Sequence, residues 1–236
     1  MDINKFINNY KVAFSENASL PVAFWYSETP LTKPKRINGC FFKGMNEVRD
    51  GKPLSLDVET IGCGGGKFYT GFTEMPEFVP QFVSIKEKYK ETPEMVIDFI
   101  DKLNVPKAKS LYLNFLRIDH LEKLDNIEGL LFFVSPDILS GLATWVYFDN
   151  NSPDAVTSIF GSGCSNMITT TVTENAKGGR RTFLGLFDPS ARPYFAANEL
   201  SLAIPLSRFK EMYNTMERSC LFDTHAWGKI KARINE

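Results

Sequence analysis

The chain has 236 residues, of which 43% are hydrophobic and 23% are charged, and its formal net charge is −1. This composition is that of a folded globular protein and argues against disorder. A chain of this length buries enough surface to fold without disulfide or metal support, so we expect one domain over residues 1–236. The near-zero net charge gives no general attraction to nucleic acid or to an anionic membrane, and we expect neither partner.

Cysteine use and targeting signals bear on the compartment. Residues 1–5 lack the basic start and apolar core of a secretory signal. The longest apolar stretches, 129–134 and 142–148, are too short to span a bilayer. We therefore predict a cytoplasmic protein whose four cysteines stay reduced unless they bind metal or do redox work. No two cysteines lie within five positions of each other, which excludes CxxC zinc and thioredoxin-type motifs.

The first half of the chain alternates helical and extended patterns. Apolar spacing predicts helices at 3–14, 40–48, 80–89 and 93–103, a short helix ending near 72, and strands at 21–26 and 54–61. The helix at 93–103 has the clearest start, since Thr92 is a good N-cap and Pro93 suits the first helical position.

The second half continues the alternation. It predicts strands at 110–118, 129–134, 154–160, 182–187 and 200–204, and helices at 135–148, 165–174, 205–216 and 226–234. The fold class is therefore α/β or mixed α+β, with a mixed sheet and flanking helices. Residues 1–105 and 106–236 share the order strand, helix, strand, glycine turn, helix, which suggests two pseudo-repeated halves.

A glycine–cysteine turn occurs once in each half, and it is the feature that points to a site. The predicted strand at 54–61 runs into Gly62-Cys63-Gly64-Gly65-Gly66, and the one at 154–160 runs into Gly161-Ser162-Gly163-Cys164-Ser165. A strand-to-helix glycine turn exposes backbone N–H groups at the positive end of a helix. A cysteine placed there tends towards thiolate. The pattern predicts a thiol-centred or anion-centred site, with the two turns facing one cleft.

The residues assigned to this site fall into two groups. Cys40, Cys63 and Cys164 are predicted ligands of zinc or an iron–sulfur cluster, because thiolates bind both well. The predicted contacts to a small anionic ligand are Gly64, Gly65, Gly66, Lys67, Gly163, Ser165 and Arg192. Each has a plainer interpretation: the cysteines as packing residues, Lys67 as a solvated side chain, and Arg192 as a helix cap or a partner of Asp188.

Three functional hypotheses remain open on the sequence alone. The first is a small-ligand, metal or Fe–S binding protein, and the second is a thiol-dependent enzyme with Cys164 as nucleophile. The third is a non-catalytic interaction or regulatory protein with structural cysteines. Only His120 and His225 are present and no G-x-S-x-G motif occurs, which disfavours the usual hydrolases. A homodimer is the default expectation for assembly.

Several short segments resemble one known family in the same order. They are Pro21-Val22-Ala23, Gly39-Cys40, Cys63-Gly64-Gly65-Gly66, Ser135-Pro136-Asp137, Gly163-Cys164-Ser165, Ala191-Arg192 and Leu202–Pro205. Over nearly the whole chain this pattern resembles domain-of-unknown-function family 169, whose members occur in bacteria and archaea. The resemblance implies cysteines at positions 40, 63 and 164. A further family cysteine has no counterpart here, since 184–192 contains none, and the resemblance implies no activity.

Overall fold

The computed structural model describes residues 1–159 and 161–236, and a seven-stranded mixed sheet organises it. The strands are β1 Val22–Ser27, β2 Leu54–Leu56, β3 Tyr112–Arg117, β4 Gly129–Val134, β5 Val156–Thr157, β6 Thr182–Gly185 and β7 Leu200–Pro205. Their order across the sheet is β2-β3-β1-β4-β7-β6-β5. All neighbouring pairs are antiparallel except β5 and β6, which are parallel. The predicted mixed sheet is confirmed.

Helices cover both faces of this sheet. They are α1 Ile3–Ala13, α2 Met45–Arg49, α3 Gly64–Tyr69, α4 Val79–Gln81, α5 Pro93–Leu103, α6 Pro136–Tyr147, α7 Thr170–Ala176, α8 Leu206–Tyr213 and α9 His225–Ile234. Two π-helical turns, Phe82–Lys86 and Ser165–Thr169, continue into or from α-helix. No helix within the described ranges is both long and apolar enough to cross a membrane.

The sheet separates two hydrophobic cores. Along β4, which is buried throughout, Leu130 and Phe132 pack into one core, while Leu131 and Phe133 pack into the other. This follows from the period of two in a strand. We call the face covered by α1, α6, α8 and α9 the far face, and the face covered by α2, α3, α5 and the second π-turn the site face.

Element boundaries agree with expectation where local signals are strong. The Thr92 side chain accepts a hydrogen bond from the Met95 N–H at 3.3 Å, Pro93 follows it, and the helix ends at Asn104 with φ of 48°. These are the N-cap, N1 and left-handed C-cap positions that those residue types favour.

Four predicted strands are shorter in the structure. The one at 110–118 is β3, Tyr112–Arg117. The one at 54–61 ends at Leu56, because Asp57 Oδ1 accepts from the N–H groups of Glu59 (3.0 Å) and Thr60 (2.8 Å) and closes a turn. The one at 182–187 ends at Gly185, since Leu186 has a φ of 65°. The one at 154–160 is reduced to β5, and its last residue, Phe160, lies outside the described residues.

Strands from the two sequence halves, 1–105 and 106–236, are interleaved in the sheet. β1 of the first half and β4 of the second are neighbours at its centre, and β2 and β5 lie at opposite edges. β3, from the second half, lies between β1 and β2. The pseudo-repeat stays a prediction.

Candidate functional site

A cavity of about 350 Å³ opens on the site face where the two glycine turns approach each other. It is lined by Cys63, Gly64, Gly65, Tyr69, Phe78, Val79, Phe82, Val83, Glu87, Tyr89, Lys90, Val96, Phe99, Gly161, Ser162, Asp188 and Ser190. Its volume is in the range of about 300–1,000 Å³ that is typical of small-molecule sites. Both turns therefore contribute to one cleft.

The first turn is built around Cys63, the N-cap of α3. Its Sγ accepts a hydrogen bond from the Gly66 N–H at 3.4 Å. Just before it, Gly62 donates its N–H to the Ile37 carbonyl at 3.0 Å, and a Cβ on Gly62 would overlap that same oxygen. This close approach requires glycine and fixes where α3 begins.

The second turn, 161–165, is stabilised by hydrogen bonds within itself and to Asp188. Ser162 Oγ lies 3.2 Å from Cys164 Sγ, and the Ser165 hydroxyl donates to the Ser162 carbonyl at 2.9 Å. The Gly163 N–H donates to Asp188 Oδ2 at 2.9 Å. Gly161 and Ser162 are the residues of this turn that line the cavity.

Asp188 is the buried carboxylate of the site, with only 3% of its surface exposed. Oδ1 accepts from the Ser190 N–H at 2.9 Å, and Oδ2 accepts from the Ser190 hydroxyl at 2.7 Å as well as from Gly163. The loop that carries it turns away from β6 at Leu186, whose left-handed backbone is strained for a bulky side chain. A strained residue thus positions the carboxylate at the cavity wall.

The remaining walls are mainly apolar. Phe78 and Phe82 form an exposed rim, at 58% and 46% exposure, and half-buried Phe99 of α5 adds a third ring to the lining. The Lys90 ammonium sits over the Phe99 ring, 5.1 Å from its centroid. Burial, together with the neighbouring Glu87 carboxylate, raises the pKa of Tyr89 to about 12.

The cysteines are close enough to affect one another's charge. Burial raises the pKa of the Cys40 thiol to about 11, with a smaller contribution from Cys63. Burial also raises the pKa of the Cys164 thiol well above its ordinary range, and Cys40, Cys63 and Asp188 add to this. The described part of the chain nevertheless contains no group of three or more His, Cys, Asp or Glu side chains arranged to hold a metal ion.

The predicted ligands Cys40, Cys63 and Cys164 therefore form no metal-holding group among the described residues, and their assignment to zinc or an iron–sulfur cluster stays a prediction. Cys63 lines the cavity, whereas Cys40 and Cys164 do not.

Of the residues predicted to contact an anionic ligand, some line the cavity and others do not. Gly64 and Gly65 line the cavity, whereas Gly66, Lys67, Gly163 and Ser165 do not. Arg192 also lies outside it: its guanidinium donates to the carbonyl oxygens of Ala196, Ala197 and Glu199. Arg192 thus stabilises its own loop.

The sequence reasoning missed Asp188 and the aromatic wall. Asp188-Pro189-Ser190 is a turn pattern in which Asp bonds the backbone two residues on, so the loop was detectable, although its position beside Gly163 was not. Phe78, Phe82 and Phe99 carry no signal of a site in the sequence, because nothing local distinguishes a cavity wall from a core.

Comparisons with known proteins give one positive finding. The family model for domain of unknown function 169, described as an uncharacterised ArCR family, matches residues 15–215. No curated protein and no solved structure matches the chain. The match covers most of the chain and includes both glycine turns and the Asp188 loop. The chain therefore belongs to domain-of-unknown-function family 169.

Proposed function

We propose that this protein binds a small, mainly apolar molecule in the site-face cavity. The observation that carries the proposal is the cavity itself, in which two glycine turns distant in the sequence meet an aromatic wall. Ligand sites are commonly concave and apolar, with a few polar groups that fix orientation. Here Asp188, Ser162 and Ser190 supply those polar groups at one end.

The charges of the lining favour a neutral or cationic ligand. Two carboxylates, Glu87 and Asp188, and one ammonium, Lys90, line the cavity. An anion placed there would face net repulsion at close range. This argues against the small anionic ligand that the sequence predicted, and it favours a ligand whose head group donates hydrogen bonds to the Asp188 carboxylate.

Thiol catalysis by Cys164 has less support than binding. Its thiol is buried, its pKa is raised, and it lies behind Ser162 rather than at the cavity surface. A nucleophilic cysteine needs the opposite, a lowered pKa and access to substrate. The geometry therefore favours a binding role for the cavity.

The proposal is tested by filling the cavity. We expect indole, a small neutral aromatic probe, to show saturation transfer from the wild-type protein by ligand-observed NMR. Val83→Trp places a large side chain in the cavity lining and should reduce that signal at least tenfold. Val12→Trp adds the same side chain on α1, at a position 51% exposed on the far face, and should leave it unchanged.

Circular dichroism establishes that both variants are folded. Equal indole signals from the wild type and from a folded Val83→Trp variant would refute binding in this cavity. Loss of the signal in both folded variants would also count against binding in this cavity, because Val12→Trp leaves the cavity lining unchanged.

A further inference from the structure

We propose that the ligand carries a protonated amine, held by Asp188 at the polar end of the cavity and by the aromatic wall. This inference rests on the proposed function and names the chemical class of the molecule. It departs from the anionic ligand expected from the glycine turns, because two carboxylates and several aromatic rings line the cavity against a single ammonium group.

Asp188 is a buried carboxylate that has no ion-pair partner among the described residues. Only 3% of this residue is exposed, and the hydrogen-bond donors to its carboxylate are the neutral groups of Gly163 and Ser190. Within residues 1–159 and 161–236, no ion pair includes Asp188. Buried charges in proteins are normally paired with an opposite charge. The cavity gives a cationic ligand direct access to this one.

The Asp188 carboxylate can accept more hydrogen bonds than it receives from the protein. Two carboxylate oxygens offer about four lone-pair sites. Oδ2 accepts two hydrogen bonds, and Oδ1 accepts one, from the Ser190 N–H. Oδ1 therefore retains a lone pair, and an ammonium donor would fill it with a charge-assisted hydrogen bond.

One aromatic ring of the cavity wall, that of Phe99, already makes a cation–π contact with an ammonium group. Lys90 Nζ lies 5.1 Å from the centroid of the Phe99 ring, within cation–π range. Tyr69, Phe78 and Phe82 add further rings to the same cavity. A ligand ammonium placed between these rings and Asp188 would meet attraction from both, and Lys90 would oppose it as a like charge.

Three probes with the same phenyl body separate the head groups: phenethylamine, 2-phenylethanol and 3-phenylpropanoate. We expect calorimetry at pH 7 to give an affinity for the amine at least tenfold above that for the alcohol, with the carboxylate weakest. Asp188→Asn keeps the shape and removes the charge. It should weaken amine binding at least tenfold and change alcohol binding less than threefold.

Glu122→Gln serves as a control for the loss of a carboxylate, and Lys90→Met is a second, independent test of the amine assignment. Glu122→Gln removes an exposed carboxylate that does not line this cavity and should change nothing. Lys90→Met removes the competing ammonium and should tighten amine binding at least threefold. Because Lys90 is only half-buried, this variant tests the inference even if Asp188→Asn fails to fold.

The outcomes distinguish the inference from the proposed function. If the alcohol binds as tightly as the amine, or if Lys90→Met weakens amine binding, the inference is overturned while binding in the cavity stands. If indole binds but none of the phenyl probes does, the amine assignment is also overturned. If neither indole nor any phenyl probe binds, both proposals fail.

Discussion

Cys164 shows how position decides the chemistry of a single residue. It follows a glycine turn, a context that in sequence suggests a reactive thiolate. In the structure its thiol is buried under Ser162, in a core that includes Met167 and Phe42. Burial disfavours the charged form more than the turn favours it, so the pKa is raised.

We expect iodoacetamide at pH 8 to modify Cys63 at least tenfold faster than Cys164 in the folded protein. Cys63 lines the cavity and is partly exposed, whereas Cys164 is 7% exposed. A raised pKa means that less thiolate is present at this pH, which acts in the same direction as burial. Peptide mass spectrometry over a time course measures both rates.

Guanidinium-unfolded protein is the control, since the two rates should then become similar. Modification of Cys164 as fast as Cys63 in the folded state would contradict the buried, protonated thiol and revive the nucleophile hypothesis.

At the scale of elements, prediction succeeded where composition or capping residues marked a helix or strand, and it failed where a side chain competed for the backbone. The run 129–134 is apolar throughout and forms β4, and Thr92-Pro93 marks the start of α5. The strand predicted at 54–61 was too long, because alternation continued through Val58 while the Asp57 side chain competed for the backbone. Local competition of this kind is invisible to a periodicity argument.

For the site, the meeting of the two turns was predicted and most of the lining was not. Gly64, Gly65 and Cys63 could be named from the glycine run. Asp188 accepts a hydrogen bond from the Gly163 N–H, 25 positions away, and this pairing of two distant loops has no local signal in the sequence. Arg192 was a reasonable anion contact until its own loop was seen to use its donors.

The glycine turn that starts α3 gives a prediction at this scale. Gly62→Ala should destabilise the protein by about 2 kcal/mol or more, because the added Cβ overlaps the Ile37 carbonyl and must break the parallel bridge between Ile37 and Ile61. Denaturant unfolding measures the change.

The matched control is Gly228→Ala in α9, where an added Cβ meets nothing within 4 Å. Alanine is the better helix former there, so stability should rise by about 0.5–1 kcal/mol. Equal effects at the two positions would show that the contact between Gly62 and Ile37 does not determine the turn.

At the scale of the whole molecule, the far face joins helices from distant parts of the chain. Trp227 of α9 donates its indole N–H to the Ala13 carbonyl at 2.9 Å and packs edge-on against Phe14, with ring centroids 5.4 Å apart. Gly141 of α6 lies under both rings, and a Cβ there would overlap Trp227 and lie 2.8 Å from Phe14. Residues from α1, α6 and α9 therefore share one close-packed contact.

A double-mutant cycle tests this contact. Gly141→Ala alone should destabilise the protein by about 1–3 kcal/mol, since overpacking outweighs the gain in helix propensity. In a Trp227→Leu background the same change should cost at least about 1 kcal/mol less, because the larger ring is gone. Denaturant unfolding of the four proteins gives the coupling energy.

Indole binding in the cavity should be unaffected by these far-face variants, because the sheet lies between the two cores. Additive effects of Gly141→Ala and Trp227→Leu would show that the two residues do not share this contact.

Each of the two π-turns is one residue longer than the matching stretch of α-helix, and the first of them, Phe82–Lys86, borders the cavity. Each closes a hydrogen bond from residue i+5 to residue i, Glu87 to Phe82 and Thr170 to Ser165, and so contains one residue more than an α-turn. Deleting that residue would restore a regular helix and rotate the downstream part of the helix by about 100°, one residue's share of a 3.6-residue turn. Phe82 and Val83 of the first π-turn line the cavity, and so do Glu87 and Lys90 just after it. We therefore expect deletion of one residue in this turn to change the shape of the cavity.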